Sequence, residues 1–378
     1  MSSQPAAPGP DRRIRVAVVF GGRSSEHAVS CSTAASVLSA IDRTRYDVIP
    51  VGIARDGHWV LMPDEPEPLR LTATNEPAVD GARPAVVVPT STGARDLTVL
   101  EPGEVPRTLG RVDVVFPLLH GPFGEDGTIQ GMLDLADIRY VGSGVAASSL
   151  MMDKHLMKVL FASAGLPIGP YAVITDRAWR RDPEAAMASI QPLGWPVFVK
   201  PARAGSSMGI AKVRGPHELR AAIEAAREHD PKVVVEAAVM GREIECGVLE
   251  GHGTDPPRTS ALGEPAVVKG HEFYDYEAKY LADDDVRLTC PADVPPDVVT
   301  RVQEMSARAF EAGGCEGLAR VDFFYTAGGD LLVNEVNTLP GFTPTSMYPR
   351  MWAASGVSYA ELIDELIALA LERRVGLR

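Results

Sequence analysis

Gly317-Leu-Ala-Arg320-Val-Asp322-Phe-Phe-Tyr-Thr-Ala-Gly328-Gly329-Asp-Leu-Leu-Val-Asn334-Glu335-Val-Asn337-Thr338 carries the residues on which the fold and chemistry of this chain turn. Two β-rich runs flank Gly328-Gly329, a dipeptide that tolerates the positive φ of a two-residue hairpin turn. With those glycines as the turn, Ala327 pairs with Asp330, Asp322 falls opposite Glu335, and Arg320 falls opposite Asn337. Side chains alternate with period two, so all four project from one face. Like charges directly opposite one another destabilise a sheet, and Asp322 against Glu335 therefore asks for a cation. Two carboxylates and an amide oxygen suit Mg²⁺, which keeps some waters and also binds phosphate oxygens. A solvated polar face accounts for the same four residues, and the rest of the chain has to decide.

At 378 residues the chain is long enough for two or three domains. Its net charge of −13 argues against nonspecific nucleic-acid partners and anionic membranes, while leaving room for a local basic pocket. Cys31, Cys246, Cys290 and Cys315 are widely scattered with no CxxC, and read as buried thiols in a reducing compartment. Residues 1–13 lack an apolar core and read as a disordered tail, not a signal peptide. No apolar run approaches membrane-spanning length, so the expectation is a cytoplasmic globular protein.

Ile14 to Phe20 is an apolar strand, followed by Gly21-Gly22-Arg-Ser-Ser-Glu26 and a helix over 28–41. That order opens an α/β unit with helix N-terminal amides available to an anion. Residues 61–110, rich in Pro, Thr and Gly, read as an insertion; Val112 to Leu119 is a buried parallel strand leading into the loop His120-Gly-Pro-Phe-Gly-Glu-Asp-Gly127. Further on, Lys200 ends the apolar strand Pro196–Pro201, where an unpaired ammonium is costly. The turn Ala204-Gly-Ser206-Ser207-Met-Gly209 and a second strand, Ile210–Val213, complete a flap whose amides and hydroxyls suit phosphate. Taken alone, Lys154 reads as a helix-surface lysine, and Glu236 and Glu243, flanking the turn at Met240-Gly241, as surface acids. His271 to Tyr280 is dense in aromatics and charge, as in a lid that excludes water or a loop packed on itself.

Three patterns point elsewhere and fail on context. Gly142-Ser-Gly144 matches a relaxed dinucleotide fingerprint but lacks the strand and acid that should surround it. Gly205-Ser-Ser207-Met-Gly209 fits the hydrolase elbow, yet a strand follows where the elbow needs a helix. No Gly-Lys-Ser or Gly-Lys-Thr triplet is present, so a Walker-A loop is absent.

Taken in order, Gly21–Ser30, His120–Gly127, Val199-Lys-Pro201 with Gly205–Gly209, Phe273–Tyr280 and Asn334-Glu-Val-Asn337-Thr-Leu-Pro340-Gly341 closely resemble the D-alanine–D-alanine ligases of the ATP-grasp superfamily. The resemblance implies an α/β (α+β) chain: an N-terminal parallel α/β substrate domain at 14–143, a central ATP-grasp subdomain at 144–236 and a C-terminal one at 237–378 with its lid at 271–280. It implies ATP and Mg²⁺, with Mn²⁺ as an alternative, two molecules of D-alanine as substrates, peptidoglycan precursor as product and a homodimer. Asp322, Glu335 and Asn337 would hold the metal, and Lys154, Lys200 and Lys279 would neutralise phosphates beside Ser207 of the flap. Glu236 would accept from the adenine amino group and Glu243 from the ribose. Arg320 and the Gly341 amide would stabilise the acyl oxyanion. Glu26 would bind the ammonium of the first D-alanine, His120 would lie near its carboxylate, and Ser346 would bind the second carboxylate. Ser206 would tie Glu26 to Tyr280, and Tyr280 in its intact context points to a dipeptide product. The rivals are D-lactate or D-serine as second substrate, a serine hydrolase built on Ser207, and a noncatalytic nucleotide-binding module.

Overall fold

Val16 to Phe20 are almost wholly inaccessible to solvent, the environment of a strand covered on both faces. They belong to β1 (Ile14–Gly21), at the heart of the first of two compact units, which comprises the chain up to Leu119, Ile129–Val141 and the residues from Ser358 on. A computed structural model describes residues 12–72, 74–88, 95–205, 208–267 and 286–374. Parallel ladders join β1 to β2 (Tyr46–Ile53) and to β7 (Val114–Pro117), and β7 to β8 (Arg139–Tyr140). Beyond β2 the sheet continues antiparallel through β3 (Trp59–Leu61), β4 (Ala85–Val87), β5 (Asp96–Leu100) and β6 (Arg107–Arg111). The stretch read as an insertion is thus an antiparallel extension of the parallel core. The helix His27–Ala40 packs on β1, and the helix Tyr359–Glu372 on β7 and β8. Ser358 and Glu361 start the latter with a capping box, which satisfies end amides that would otherwise have no partner.

The second unit comprises His120–Thr128 and Gly142–Val357 and contains two antiparallel sheets. The smaller runs β11 (Ala211–Val213), β10 (Val197–Pro201), β12 (Val233–Ala237), β9 (Tyr171–Ile174), with the helix Pro216–His229 against it. β10 and β11 pair antiparallel across the flap turn, so the element is strand–turn–strand and lacks the helix of a hydrolase elbow. The larger sheet runs β15 (Val286–Thr289), β14 (Arg258–Val267), β13 (Gly241–Leu249), β16 (Leu318–Thr326), β17 (Leu331–Asn337). Its core face packs Ile244, Cys246, Val321, Phe323 and Val333 against Val302, Ala309 and Phe310 of the helix Pro296–Ala312.

The β16–β17 hairpin pairs Asp322 with Glu335 and Arg320 with Asn337, as expected from the sequence, but by a different route. The turn holds three residues, not two: Thr326 accepts from Gly329 and donates to Asp330, and only Gly329 takes the left-handed φ, at +89°. That geometry is a tight turn followed by a left-handed residue, and it shifts the register near the turn by one. Phe323 therefore pairs with Val333, and a bulge at Asn334 restores the count before Glu335. The bulge has a physical purpose. In unbroken alternation Leu331, Val333, Glu335 and Asn337 would share a face, although the first two are buried in the core. By taking Asn334 out of the alternation, the bulge lets β17 give its apolar side to the core at one end and its polar side to the opposite face at the other.

Asn334→Ala, which keeps the extra residue, is expected to change stability by about 1 kcal/mol or less. Deleting Asn334 makes Phe323–Val333 and Asp322–Glu335 consecutive pairs of a straight ladder, so Glu335 and Asn337 should stay on the polar face and the variant should fold with a urea midpoint near that of the wild type. A deletion variant that unfolds at much lower urea would refute this reading of the bulge.

Candidate active site

On the face of the larger sheet opposite the helix Pro296–Ala312, three carboxylates stand in one row across three strands. Glu245 on β13 is directly opposite Asp322 on β16, which is directly opposite Glu335 on β17. Such a row survives only with cations among its members. Arg320 supplies the first, placing Nε and Nη2 each 2.7 Å from one oxygen of Asp322 in a two-pronged fork. Its Nε also lies 3.3 Å from Glu245 Oε2. Burial works against the Arg320 charge, but the Asp322 and Glu245 carboxylates more than offset it and keep the guanidinium protonated. Asn337 donates from Nδ2 to Asp322 Oδ2 at 2.9 Å, so its own carbonyl oxygen is not used in that bond. Lys154 brings a second cation, with Nζ 3.9 Å from Glu335 Oε2 and 3.0 Å from the carbonyl of Ala204 at the base of the flap.

Among the described residues no group of three or more His, Cys, Asp or Glu is arranged to hold a metal ion. The donors that fit one are of mixed type: the carboxylates of Asp322 and Glu335 with the amide oxygen of Asn337. This is a hard, all-oxygen set that suits a small divalent cation sharing its shell with phosphate and water. The fork on Asp322 takes one lone pair of each oxygen, and Asn337 takes a second one on Oδ2.

A second cluster lies in the smaller sheet. Glu236 on β12 is held between Lys200 on β10, at 2.6 Å from Oε2, and Lys158 of the helix Lys154–Ser163, at 2.9 Å from Oε1. Lys158 is only 2% exposed, and its ammonium also lies 5.8 Å from the centre of the Tyr171 ring. Burial alone would raise the Glu236 carboxyl; the charges and hydrogen bonds of Lys200 and Lys158 hold it instead down to about 2. Burial likewise opposes the Lys200 ammonium, and Glu236 overcomes it, so Lys200 titrates above the usual lysine range. Glu335 and Glu243 also act on Lys200 through their charge. Glu243 sits on β13 two residues before Glu245, and so on the same face as the carboxylate row.

A third group surrounds the loop after β17. His120 Nδ1 lies 3.2 Å from the carbonyl of Leu339, while Glu125 accepts from the amide of Leu339 at 3.3 Å and from that of Gly121 at 2.6 Å. The peptide groups on both sides of Leu339 are thus gripped just before Pro340-Gly341. Ser346 Oγ accepts from the Thr343 amide at 3.2 Å, and a side chain on Gly341 would meet that hydroxyl at 3.2 Å. Gly341 and Ser346 therefore occupy one tight loop ahead of the helix Met347–Ala354.

In the first unit, Glu26 is buried at the start of the helix His27–Ala40, its amide donating to Ser24 Oγ. His27 next to it accepts from the Val79 amide at Nε2, so Nδ1 carries the hydrogen and donates to the carbonyl of Gly22 at 2.7 Å. Burial lowers the pKa of His27 and favours this neutral form. Ser206, Ser207, Lys279 and Tyr280 lie outside the described residues, as does the whole stretch 271–280 expected as a lid.

The model of the D-ala D-ala ligase N-terminus matches residues 15–143, and that of the D-ala D-ala ligase C-terminus matches residues 160–368. This chain belongs to the D-alanine–D-alanine ligase family. A D-alanine–D-alanine ligase of Arthrobacter sp. (strain FB24) is 62% identical over 98% of this chain and 97% of its own length. One from Kineococcus radiotolerans is 56% identical over the full length of both. Among solved structures, the VanG D-Ala:D-Ser ligase from Enterococcus faecalis superposes with a TM-score of 0.81 at 38% identity, over 95% of this chain and 100% of that one. The D-alanine–D-alanine ligase of Coxiella burnetii gives 0.80 at 32% identity, over 96% and 94%. The fold is the ATP-grasp fold, and the N-terminal unit has a parallel sheet core.

Within this ligase, sequence reasoning gathered Arg320, Asp322, Glu335 and Asn337 on one face and found Lys154, Lys200 and Glu236. It missed Glu245, Lys158, Glu125 and His27. Two of these had a signal. Glu245 follows Glu243 by two, the spacing that keeps a strand residue on one face, and Lys158 follows Lys154 by four, the spacing of one helix face. Glu236→Gln leaves two buried ammonium groups facing a neutral amide and should cost about 3–5 kcal/mol in urea unfolding at pH 7. The folded carboxyl sits below its ordinary value of 4.5, so its stabilisation is full above pH 4.5 and fades as pH falls toward about 2. The wild type should lose this part of its stability over that window. A Glu236→Gln profile of the same slope would contradict the assignment.

Proposed function

We propose that the chain joins two molecules of D-alanine into D-alanyl-D-alanine at the expense of ATP, for peptidoglycan precursor synthesis. A carboxylate is a poor acyl donor, and phosphorylation by ATP converts it to an acyl phosphate with release of ADP. The amine of the second D-alanine then adds to the acyl carbon, and the tetrahedral intermediate expels phosphate as the nitrogen loses its proton. ATP and a divalent metal are the family's requirements, and Mg²⁺, or Mn²⁺ in its place, suits Asp322, Glu335 and Asn337. Such an ion, when bound, neutralises phosphate charge.

The chain's own residues do the rest. Lys154, Lys200 and Lys279 face the phosphates with Ser207, which lowers repulsion against the incoming carboxylate. Glu236 accepts from the adenine amino group and Glu243 from the ribose. The fork to Asp322 uses two of the five N–H groups of Arg320 and fixes its plane, leaving donors for the oxyanion together with the Gly341 amide. His120 and Glu125, by gripping Leu339, hold Gly341 in place for that role. Glu26 takes the ammonium of the first D-alanine, near whose carboxylate His120 lies, and Ser346 takes the second carboxylate. Ser206 and Tyr280 close the network over the substrates. Residues 144–236 and 237–378 act as the two ATP-grasp subdomains, except that the closing segment from Ser358 packs within the first unit, and the enzyme works in the cytoplasm as a homodimer.

The observation that carries this reading is the Arg320–Asp322–Glu335–Asn337 face, linked through Lys154 to the base of the flap. Relatives 59–62% identical bear the D-alanine–D-alanine ligase name, against 38% for the D-Ala:D-Ser enzyme, which favours D-alanine over D-serine or D-lactate as second substrate. Phosphate release from ATP should require both D-alanine and a divalent metal, and D-alanine should outcompete D-lactate near neutral pH. Arg320→Lys, which cannot form the fork, should lower kcat by roughly 10²–10³-fold with little change in the KM for ATP. Metal-independent turnover, or an unchanged kcat in that variant, would refute these roles.

A further inference from the structure

Glu236 has two oxygens and two ammonium partners, one on each. Lys200 has a competing claim, since it faces ATP phosphates in the proposed reaction and its charge responds to Glu335 and Glu243 on the other sheet. Lys158 is not divided in this way. It is 2% exposed, backed by the Tyr171 ring, and its ion pair is with Glu236 Oε1. Tyr171 and Glu236 are directly paired on β9 and β12, so the ammonium is lodged between a ring and a carboxylate that the sheet holds in fixed register. Removing it would let the carboxylate rotate, and both oxygens would turn to the one cation left.

We propose that Lys158 is a positioning residue for nucleobase selection: it pins one oxygen of Glu236 so that the carboxylate stays an acceptor at the adenine amino group and does not sequester Lys200 from the phosphates. This rests on the assignment of Glu236 to adenine. A fixed carboxylate attracts the amino group of adenine and repels the carbonyl that hypoxanthine carries at the same position. A carboxylate swung onto Lys200 does neither, and it also takes a charge away from the phosphates. The consequence is a shared loss of nucleotide affinity and nucleobase discrimination, with the amino-acid sites untouched. Lys158→Met should still fold, because it leaves Glu236 and Lys200 as a matched ion pair.

The test is steady-state turnover with ATP and with ITP in the wild type, Lys158→Met, Lys158→Arg and Glu236→Gln, with urea unfolding of each. A hydrogen bond to a charged group corresponds to roughly a ten- to hundredfold change in affinity. Lys158→Met is expected to raise the KM for ATP by about that factor and to lower the ATP-over-ITP preference in kcat/KM by about tenfold or more. The KM for D-alanine should not move, and Lys158→Arg, which restores a cation at Oε1, should recover most of the preference. If Glu236→Gln collapses the preference while Lys158→Met leaves it intact, the positioning role is wrong. If Glu236→Gln itself leaves the preference unchanged, the assignment of Glu236 to adenine fails first. Loss of stability in Lys158→Met with unchanged selectivity would reduce the residue to a structural one and overturn the proposal.

Discussion

Glu245, Asp322 and Glu335 stand side by side on three neighbouring strands, and the ladder holds all three in place. Much of the site follows from that repulsion. Arg320 is drawn between two of the three, and its fork on Asp322 sets the plane of the guanidinium. Lys154, the first residue of its helix, approaches the third and also bonds the base of the flap. Arg320 and Lys154 thus offset part of the negative charge of the row. A repulsion that would weaken an ordinary sheet here holds its cations in fixed positions, with the cost met by the apolar core beneath.

The same economy governs the cluster around Glu236. A buried carboxylate with one lysine is a closed pair, and a lysine so engaged has little left for another anion. With Lys158 as a second partner, Glu236 keeps a counter-charge whichever way Lys200 is drawn. The low pKa of Glu236 expresses the same fact, since a carboxyl between two ammonium groups resists protonation despite its burial. Elsewhere a single neutral histidine does comparable work. His27 bridges Gly22 and Val79 and holds the glycine turn next to Glu26 in one shape.

The hairpin illustrates how local and global demands are reconciled. The apolar residues Leu331 and Val333 need the core, and Glu335 and Asn337, two and four residues past Val333, need the other face. No unbroken strand meets both. The three-residue turn and the bulge at Asn334 shift the pairing by one and then shift it back. Counting from a two-residue turn reached the right partners because these two displacements cancel. The switch was nonetheless visible in the spacing, where Leu331 and Val333 are followed by Val336 and not by an apolar residue at 335.

The sequence by itself determined what periodicity and composition can carry: the strand order of the hairpin, the face shared by Arg320, Asp322, Glu335 and Asn337, the flap as strand–turn–strand, and, through the motifs in order, the family. These are short-range properties, set by how side chains alternate along a strand or repeat along a helix. Only the tertiary structure decided which distant charges meet. Glu245 joins the row because β13 lies beside β16 at one register, Lys158 reaches Glu236 across 78 positions because a helix packs next to β12, and His120 and Glu125 grip Leu339 from a loop more than 200 residues away. A buried charge must find a partner wherever the fold provides one, and the sequence shows the charge without showing who will be its neighbour.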